Sequence, residues 1–297
     1  MFDFRLKVFL SVAKRLNFTK AAEELGITQP AVSKHIQEIE RYYKIKLFDR
    51  AGSKIRLTPA GIIMVEYAEQ IFDTYRQLSF KFSTLNERAE GNLRVGASTT
   101  IANYVLPAII AAFKMKYPDV GISLMVENTE KIENALEENQ LDCAIVEGSV
   151  RNRNLKYSEF LEDEIVLTAN SNHPLAKLDK IDSAQLKKIP LLMRESGSGT
   201  LQVIGKALKE AGYKVEDLKI EMQLGSTEGI KNYISNSNCM AFLSVYSVMK
   251  ELRDNQLSII DVYGLSINRY FLFVEQHGNN TDLIKLFNDF AYKYNLK

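Results

Sequence analysis

Apolar residues recur along this chain with three successive periods, and each period predicts a different kind of element. Between Asn17 and Glu40, Ala22 and Leu25 fall on the inner side of a short helix that Thr19 can cap and Gly26 can end. Thr28 can cap a second helix with Pro30 in its first turn, and Val32, Ile36 and Ile39 then recur at intervals of four and three as an inward stripe. Gln29, Ser33, Lys34 and Gln37 fall toward the other side, a polar face without an acid until Glu38. The small residues Ala21 and Ala22 suit two helices that cross closely. Helix, turn and helix within about two dozen residues offer the second helix to a DNA groove. A solvated helical hairpin is the plainer alternative on spacing alone.

The second period begins at Thr58, which caps a helix with Pro59 at its first position. Met64, Ala68, Ile71, Tyr75, Leu78, Phe82 and Leu85 alternate intervals of four and three, a heptad seam, while Glu66, Glu69, Asp73, Arg76, Lys81 and Glu87 stay in water. Such a helix extends roughly 45 Å, far more than a small domain needs for its own packing. The seam therefore predicts dimerisation, with packing on the chain's own body as the alternative.

Ala89-Glu90-Gly91-Asn92 breaks that helix, and short apolar strands then alternate with helices. Strands are expected at 93 to 98, 121 to 127 and 141 to 148, with helical stretches around 101 to 116 and 129 to 139. A second set follows at 164 to 170, 189 to 193, 219 to 224 and 239 to 244, before a return strand at 270 to 275 and a final helix near 281 to 295. Right-handed βαβ units of this kind build two α/β lobes, joined by crossovers near 161 to 164 and 264 to 268. The expected fold is α+β and multidomain: 1–58 a helix-turn-helix DNA-binding domain, 59–88 a linker helix, and 91–297 an effector-binding domain. Its lobe I takes about 91–161 and 268–297, and its lobe II about 162–267.

Length and charge support that division. A chain of 297 residues with 46% hydrophobic content can bury a large core beside a small reading head. Residues 1 to 58 hold twelve Lys+Arg against six Asp+Glu, a net of +6, while the whole chain is +1, so the remainder carries −5. Basic charge is concentrated where DNA would lie, and phosphate contacts supply affinity that does not depend on sequence. Arg50, Lys54 and Arg56 are expected on the DNA backbone, and Gln29 and Lys34 on base edges, because a Gln amide pairs bidentately with adenine and a Lys donates to guanine. His35 is a candidate phosphate contact, with simple solvent exposure the favoured reading. No positively charged and then apolar leader opens the chain, and no apolar run approaches a membrane span, which together lead us to expect a cytoplasmic, bacterial protein without membrane partners.

Four linked motifs carry a family resemblance: Phe18-Thr19-x-Ala21-Ala22-x-x-Leu25, Thr28-Gln29-Pro30-Ala31-Val32-Ser33, Ile39-Glu40 and Leu47-Phe48-Asp49-Arg50. Together they resemble the N-terminal signature of LysR-type transcriptional regulators. The resemblance implies a winged helix-turn-helix, with 44 to 57 as the wing and Leu57-Thr58-Pro59-Ala60-Gly61 opening the linker helix. It also implies a body similar to periplasmic solute-binding proteins, and a homo-oligomer, a dimer of dimers, on an interrupted palindrome in double-stranded DNA, with RNA polymerase as a further partner. On this reading Thr28, Gln29, Pro30, Ser33, Lys34, Gln37, Arg50, Lys54 and Arg56 form the DNA-binding set.

Three segments after apolar strands suit an anion: Ser98-Thr99-Thr100, Gly197-Ser198-Gly199-Thr200 and Ser226-Thr227. Each places hydroxyls at a helix N-terminus, where free amides and the positive helix end favour carboxylate, phosphate or sulfate. Ordinary Ser/Thr capping suffices for any one of them. Arg194 can add a charge-assisted contact, although a loop arginine is ordinarily solvated. The motifs at 97 to 104 and 195 to 200 resemble the LysR branch linked to carbon fixation and cysteine synthesis, which implies a small anionic effector. Leu201 stands where that branch commonly has arginine, and Asn236-Ser237-Asn238-Cys239-Met240 replaces a glycine-rich approach to the next strand.

Other chemistry is thin. Ser11-x-x-Lys14 falls within the first helix of the reading head, Glu137 and Glu138 are adjacent on a helix and point apart, and His173-Pro174-Leu175 reads as a turn. With His35, His173 and His277 the only histidines, no metal cluster or Ser/His/Asp set can be assembled, so no cofactor and no enzymatic activity are expected. Cys143 and Cys239 sit in apolar strand-like runs as buried, reduced thiols. The competing class is a small-molecule binding protein of solute-receptor fold without DNA function.

Overall fold

A computed structural model describes residues 4–51, 54–85, 89–148, 152–178, 180–278 and 281–295, with Arg50, Ala51, Lys54, Asp73, Ser79, Phe80, Ser83, Thr84, Leu85, Val215 and Asn295 described by their backbone alone. Two compact units divide the chain, Met1–Ser79 and Phe80–Lys297.

The first unit contains α1 (Phe4–Arg15), α2 (Phe18–Leu25), α3 (Gln29–Tyr43), the antiparallel pair β1 (Phe48–Ala51) and β2 (Lys54–Leu57), and most of α4 (Pro59–Leu85). Asn17, not Thr19, caps α2: its extended backbone precedes the helix and its side-chain oxygen accepts the Lys20 amide at 3.0 Å. Phe18 is the first helical residue and packs in the core beside Phe48, and that places the cap two residues earlier. Gly26 ends α2 at φ 64, and Thr28 caps α3 with Pro30 in its first turn, as the pattern predicts. Val32, Ile36 and Ile39 are buried with Val8, Phe9, Ala21 and Leu47.

Two polar side chains lock the end of this unit. Glu40 is buried and accepts the Leu47 amide at 2.9 Å. Thr58 donates to the Lys46 carbonyl at 2.7 Å and accepts the Gly61 amide at 3.0 Å. Along α4 the heptad expectation needs a correction. Met64 and Ala68 pack into the core of this unit, whereas Ile63, Tyr67, Ile71, Leu78 and Phe82 stand in water. At 3.6 residues per turn these five fall within an arc of roughly 100°, so their stripe is rotated toward Ile63 and Tyr67 at its start, and Ile62 is exposed outside it. Tyr75 is half-buried, and the side chain of Leu85 lies outside the described residues.

The second unit begins with β3 (Gly91–Ser98), α5 (Thr99–Tyr104), α6 (Leu106–Lys116), β4 (Val120–Glu127), α7 (Thr129–Glu137) and β5 (Cys143–Glu147). It continues through β6 (Leu155–Asn170), β7 (Lys180–Ile181), α8 (Ser183–Leu186), β8 (Leu191–Arg194), α9 (Gly199–Glu210), β9 (Ile220–Leu224) and α10 (Thr227–Ser235). The last elements are β10 (Met240–Ser244), α11 (Val245–Arg253), β11 (Leu257–Val262), β12 (Ile267–Gln276) and α12 (Asp282–Asn295). The helix expected over 101 to 116 is two helices meeting at Val105, because Pro107 lies in the first turn of α6 and has no amide to continue the ladder. The strand β11 was not anticipated.

Strand order is β4-β3-β5-β12-β6-β10-β8-β9, with β11 beside β6. The two expected crossovers form one antiparallel ribbon: β6 and β12 pair from Ile165 opposite Ile267 to Leu155 opposite Gln276. One end of the ribbon extends the parallel strands β3 and β4 through β5, and the other joins β10 and β8. Two lobes result, each with its own apolar core, one around Leu93, Ile109, Phe113 and Phe287 and one around Leu167, Leu191, Ile204 and Phe242. Their strands β3, β5 and β8 end where the lobes face each other.

Candidate DNA-reading face and ligand cleft

On α3 the structure leaves Thr28, Gln29, Pro30, Lys34 and Gln37 exposed and Ser33 half-buried. The Gln29 amide donates to the Ser33 hydroxyl at 3.0 Å, one helical turn on, which holds it along the exposed side of α3. Beyond the helix, Gln37, Arg41, Lys44 and Lys46 border a shallow pocket of about 370 Å³ with Glu40 and Ile45, a basic hollow that suits a phosphate. Arg56 is exposed on β2 opposite Asp49. The side chains of Arg50 and Lys54 lie outside the described residues. His35 packs edge-on against Phe4 with ring centroids 5.5 Å apart and lies 3.7 Å from Glu38, which makes it part of the scaffold behind the face.

In the second unit the structure brings two of the expected hydroxyls, those of Thr99 and Thr227, onto an arginine that the sequence suggested would ordinarily be solvated. Arg194 is not a loop arginine. It ends β8 and is 2% exposed. Its Nη2 donates to Thr99 Oγ1 at 3.1 Å in one lobe, and its Nη1 donates to Thr227 Oγ1 at 3.3 Å in the other. Glu195 receives Nε at 2.8 Å and Nη2 at 3.0 Å. The Ser98 hydroxyl, fully buried at the end of β3, caps no amide and has no hydrogen-bond partner among the described residues. Thr100 is also buried at the start of α5.

The other segments divide by role. Ser198 caps α9 by accepting the Leu201 amide at 3.4 Å, and Ser226 is exposed and caps α10 through the Gly229 amide at 3.1 Å. Gly199 lies so close to the other lobe that a Cβ there would stand 1.9 Å from the Glu147 carbonyl oxygen. Thr200, expected on the ligand, is committed elsewhere: its hydroxyl donates to Glu147 Oε1 at 2.9 Å and accepts from Arg269 Nη1 at 3.0 Å. Arg269 bonds Asp163 at 2.6 Å and pairs with Glu147 at 3.1 Å, and Ser244 donates to Asp163 at 2.6 Å. Burial pushes the Asp163 carboxyl up, against the pull of Arg269 and Ser244.

A second link joins the lobes through Tyr104, whose hydroxyl donates to Glu228 and whose ring lies 5.1 Å from Lys231 Nζ. Burial raises the Tyr104 phenol, and the Glu228 carboxylate raises it further. Burial opposes ionisation of Glu228, yet Lys231 and Tyr104 hold its carboxyl below the usual range. Lys231 is itself buried, donating to the Ser247 carbonyl at 2.9 Å and to Glu251 at 2.8 Å. Sequence reasoning named Arg194 only as an added charge-assisted contact and missed Glu147, Asp163 and Arg269. For Arg194 and Glu147 the legible signal is a charged residue ending an apolar strand run, Leu191-Leu192-Met193-Arg194 and Ala144-Ile145-Val146-Glu147.

A capped helix-turn-helix with a polar, solvent-facing second helix, followed by a two-lobed α/β body with an arginine held between its lobes, defines a DNA-binding transcriptional regulator with an effector domain. Residues 4–62 match the bacterial regulatory helix-turn-helix protein, lysR family, and residues 86–294 match the LysR substrate binding domain. The chain belongs to the LysR family. It is 30% identical over 269 residues to the HTH-type transcriptional regulator CysL of Bacillus subtilis, covering 91% of this chain and 89% of that one. A probable RuBisCO transcriptional regulator of Synechocystis is 34% identical over 268 residues, covering 89% and 78%. Among solved structures, the Synechocystis CcmR regulatory domain in complex with 2-PG is 29% identical with a TM-score of 0.63, covering 68% of this chain and 96% of that one. Full-length CbnR complexed with its target DNA shares the fold at a TM-score of 0.64 and 17% identity, covering 99% of each chain. Among the described residues no helix is long and apolar enough to cross a membrane.

Proposed function

We propose that this LysR-type regulator binds an interrupted palindrome as a dimer of dimers, without enzymatic activity, and changes its DNA affinity or DNA bending when a small anion binds between the lobes of 91–297. The observation that carries the ligand half is Arg194, buried yet bonded to Thr99 of one lobe and Thr227 of the other. An anion there takes its charge-assisted contacts from Arg194, with Ser98, Thr99 and Thr227 around it. The 2-PG complex of the CcmR domain supports a small anion as the ligand class. Domain boundaries of 1–58, 59–88 and 91–297 go with this reading, and the apolar stripe of α4 pairs two chains.

On DNA, Gln29 and Lys34 read bases while Arg56 holds a phosphate. A mobility-shift titration at several salt concentrations, with and without 2-PG, tests both halves. Specific complexes whose affinity falls steeply with salt and shifts with 2-PG are expected. Gln29→Ala or Lys34→Ala should relax sequence preference, and Arg56→Ala should weaken binding to every sequence alike. The reverse pattern sinks the division of roles, and complexes indifferent to salt sink DNA reading.

A further inference from the structure

One side chain at this cleft has no role in the reading above, on which the following inference rests. A guanidinium as far from water as that of Arg194 needs a counter-ion. Glu195 supplies it with both oxygens, Oε2 from Nε at 2.8 Å and Oε1 from Nη2 at 3.0 Å, the paired geometry of a guanidinium fork on a carboxylate. Neighbours in a strand point to opposite faces, but Arg194 is the last residue of β8 and Glu195 the first of the loop, so the chain can turn and bring the two together. The partners differ in their access to solvent: the Arg194 side chain is 2% exposed and that of Glu195 is 28% exposed. Glu195 can therefore exchange its partner for water, and Arg194 cannot.

The same guanidinium reaches Thr99 and Thr227, so the Glu195 carboxylate is held by the group that joins the lobes. Close by in sequence to Thr99, the Ser98 hydroxyl is buried without a partner among the described residues, a donor that an arriving oxygen would satisfy. The loop that Glu195 opens also touches the other lobe: the Gly197 carbonyl accepts the Glu130 amide at 3.3 Å, and the Ser196 carbonyl accepts from Asn128 Nδ2 at 3.4 Å.

We propose that Glu195 is a built-in competitor for the ligand's anionic group, and that this group is a carboxylate which replaces Glu195 on the fork of Arg194. Exchange of one carboxylate for another leaves the charge on Arg194 matched, and Glu195 moves into water. Two consequences follow. The competition raises the ligand concentration needed for response, and the release of Glu195 disturbs the loop that holds the 128 to 130 segment, so ligand exchange is felt across the lobes.

Chemical rescue of the full-length protein tests this. Thermal unfolding of wild type, Glu195→Ala and the double variant Arg194→Gln/Glu195→Ala is followed in about 100 mM sodium formate or acetate, against sodium chloride and sodium sulfate at equal ionic strength. The expected result is a carboxylate-specific rise in Tm for Glu195→Ala, several-fold larger than that of wild type and absent from the double variant. Glu195→Gln, which keeps the side chain's size, should bind acetate about tenfold more tightly than wild type does, and it carries the test if the alanine variant does not fold. Equal shifts in wild type and both Glu195 variants, or a shift that survives in the double variant, overturn the proposal. Rescue by sulfate without rescue by formate or acetate overturns the carboxylate class. Rescue in a protein whose operator affinity ignores both 2-PG and small carboxylates leaves Glu195 as the competitor and sinks the ligand-sensing reading instead, so the two failures are distinct.

Discussion

The carboxylate of Glu40 accepts the Leu47 amide at 2.9 Å and the Phe48 amide at 3.5 Å, while Lys46 Nζ approaches at 2.7 Å. Those amides belong to the residue before β1 and to its first residue, so one buried acid on α3 holds the strand pair in place beside the helix. Glu40→Ala leaves the Leu47 amide buried without its acceptor, and a loss of about 2 kcal/mol is expected in urea unfolding of the full chain. A change within error would show that Lys46 and Thr58 hold this corner alone. His173 gives the molecule a pH dependence of its own. Its Nδ1 accepts the Leu175 amide at 3.1 Å, which requires a neutral ring, and burial lowers its pKa, partly offset by a backbone hydrogen bond to Asn238. A histidine depressed in the folded state contributes stability that is present above its ordinary pKa and lost as pH falls through the lower folded one. Between about pH 8 and about pH 5.5 wild type should therefore lose more stability than His173→Ser, whose hydroxyl caps at either pH. Equal slopes would remove His173 from the account.

At the scale of elements, α4 is the clearest case of a pattern that was right in kind and shifted in detail. An apolar stripe was legible in the seam from Met64 to Leu85, but the packing of Met64 and Ala68 with Val8, Phe9 and Leu47 is a contact distant in sequence, and no period along one helix reveals it. Ile63, Tyr67, Ile71, Leu78 and Phe82 remain as the stripe that a second chain would cover. Replacing Leu78 and Phe82 with lysine places two charges in that seam, and sedimentation of the full-length variant should show dimer dissociation increased at least about tenfold. An unchanged dimer would move the pairing surface off α4. The helix expected over 101 to 116 shows the opposite limit. Its apolar content was read correctly, but the break at Val105 follows from Pro107, a local signal that the long apolar run obscured.

Over the whole molecule, the ribbon of β6 and β12 decides how the second unit works, since it belongs to both lobes. Its charges Asp163 and Arg269 join Glu147 and Thr200, so the N-terminus of α9 is pinned to the other lobe by side chains as well as by the close approach of Gly199 to Glu147. Gly199→Ala sets a methyl against a backbone carbonyl. It should cost about 1–3 kcal/mol in thermal unfolding. A variant as stable as wild type would show that the lobes tolerate separation there.

The sequence alone determined the helix-turn-helix, the polar face from Thr28 to Gln37, the strand and helix alternation of the body, and the family, because caps, turn glycines and apolar periods are local and act within a few residues of where they are written. Tertiary structure decided which polar residues meet. Arg194 and Thr99 are 95 residues apart, and Arg269 and Asp163 are 106 apart, so whether each arginine faces water or a partner depends on strands paired across the sheet. For the same reason Thr200, like Thr99 a hydroxyl at the start of a helix, is held in a buried ion network with Glu147 and Arg269. A residue's type sets what it can bond, and only the fold sets what comes within about 3 Å of it.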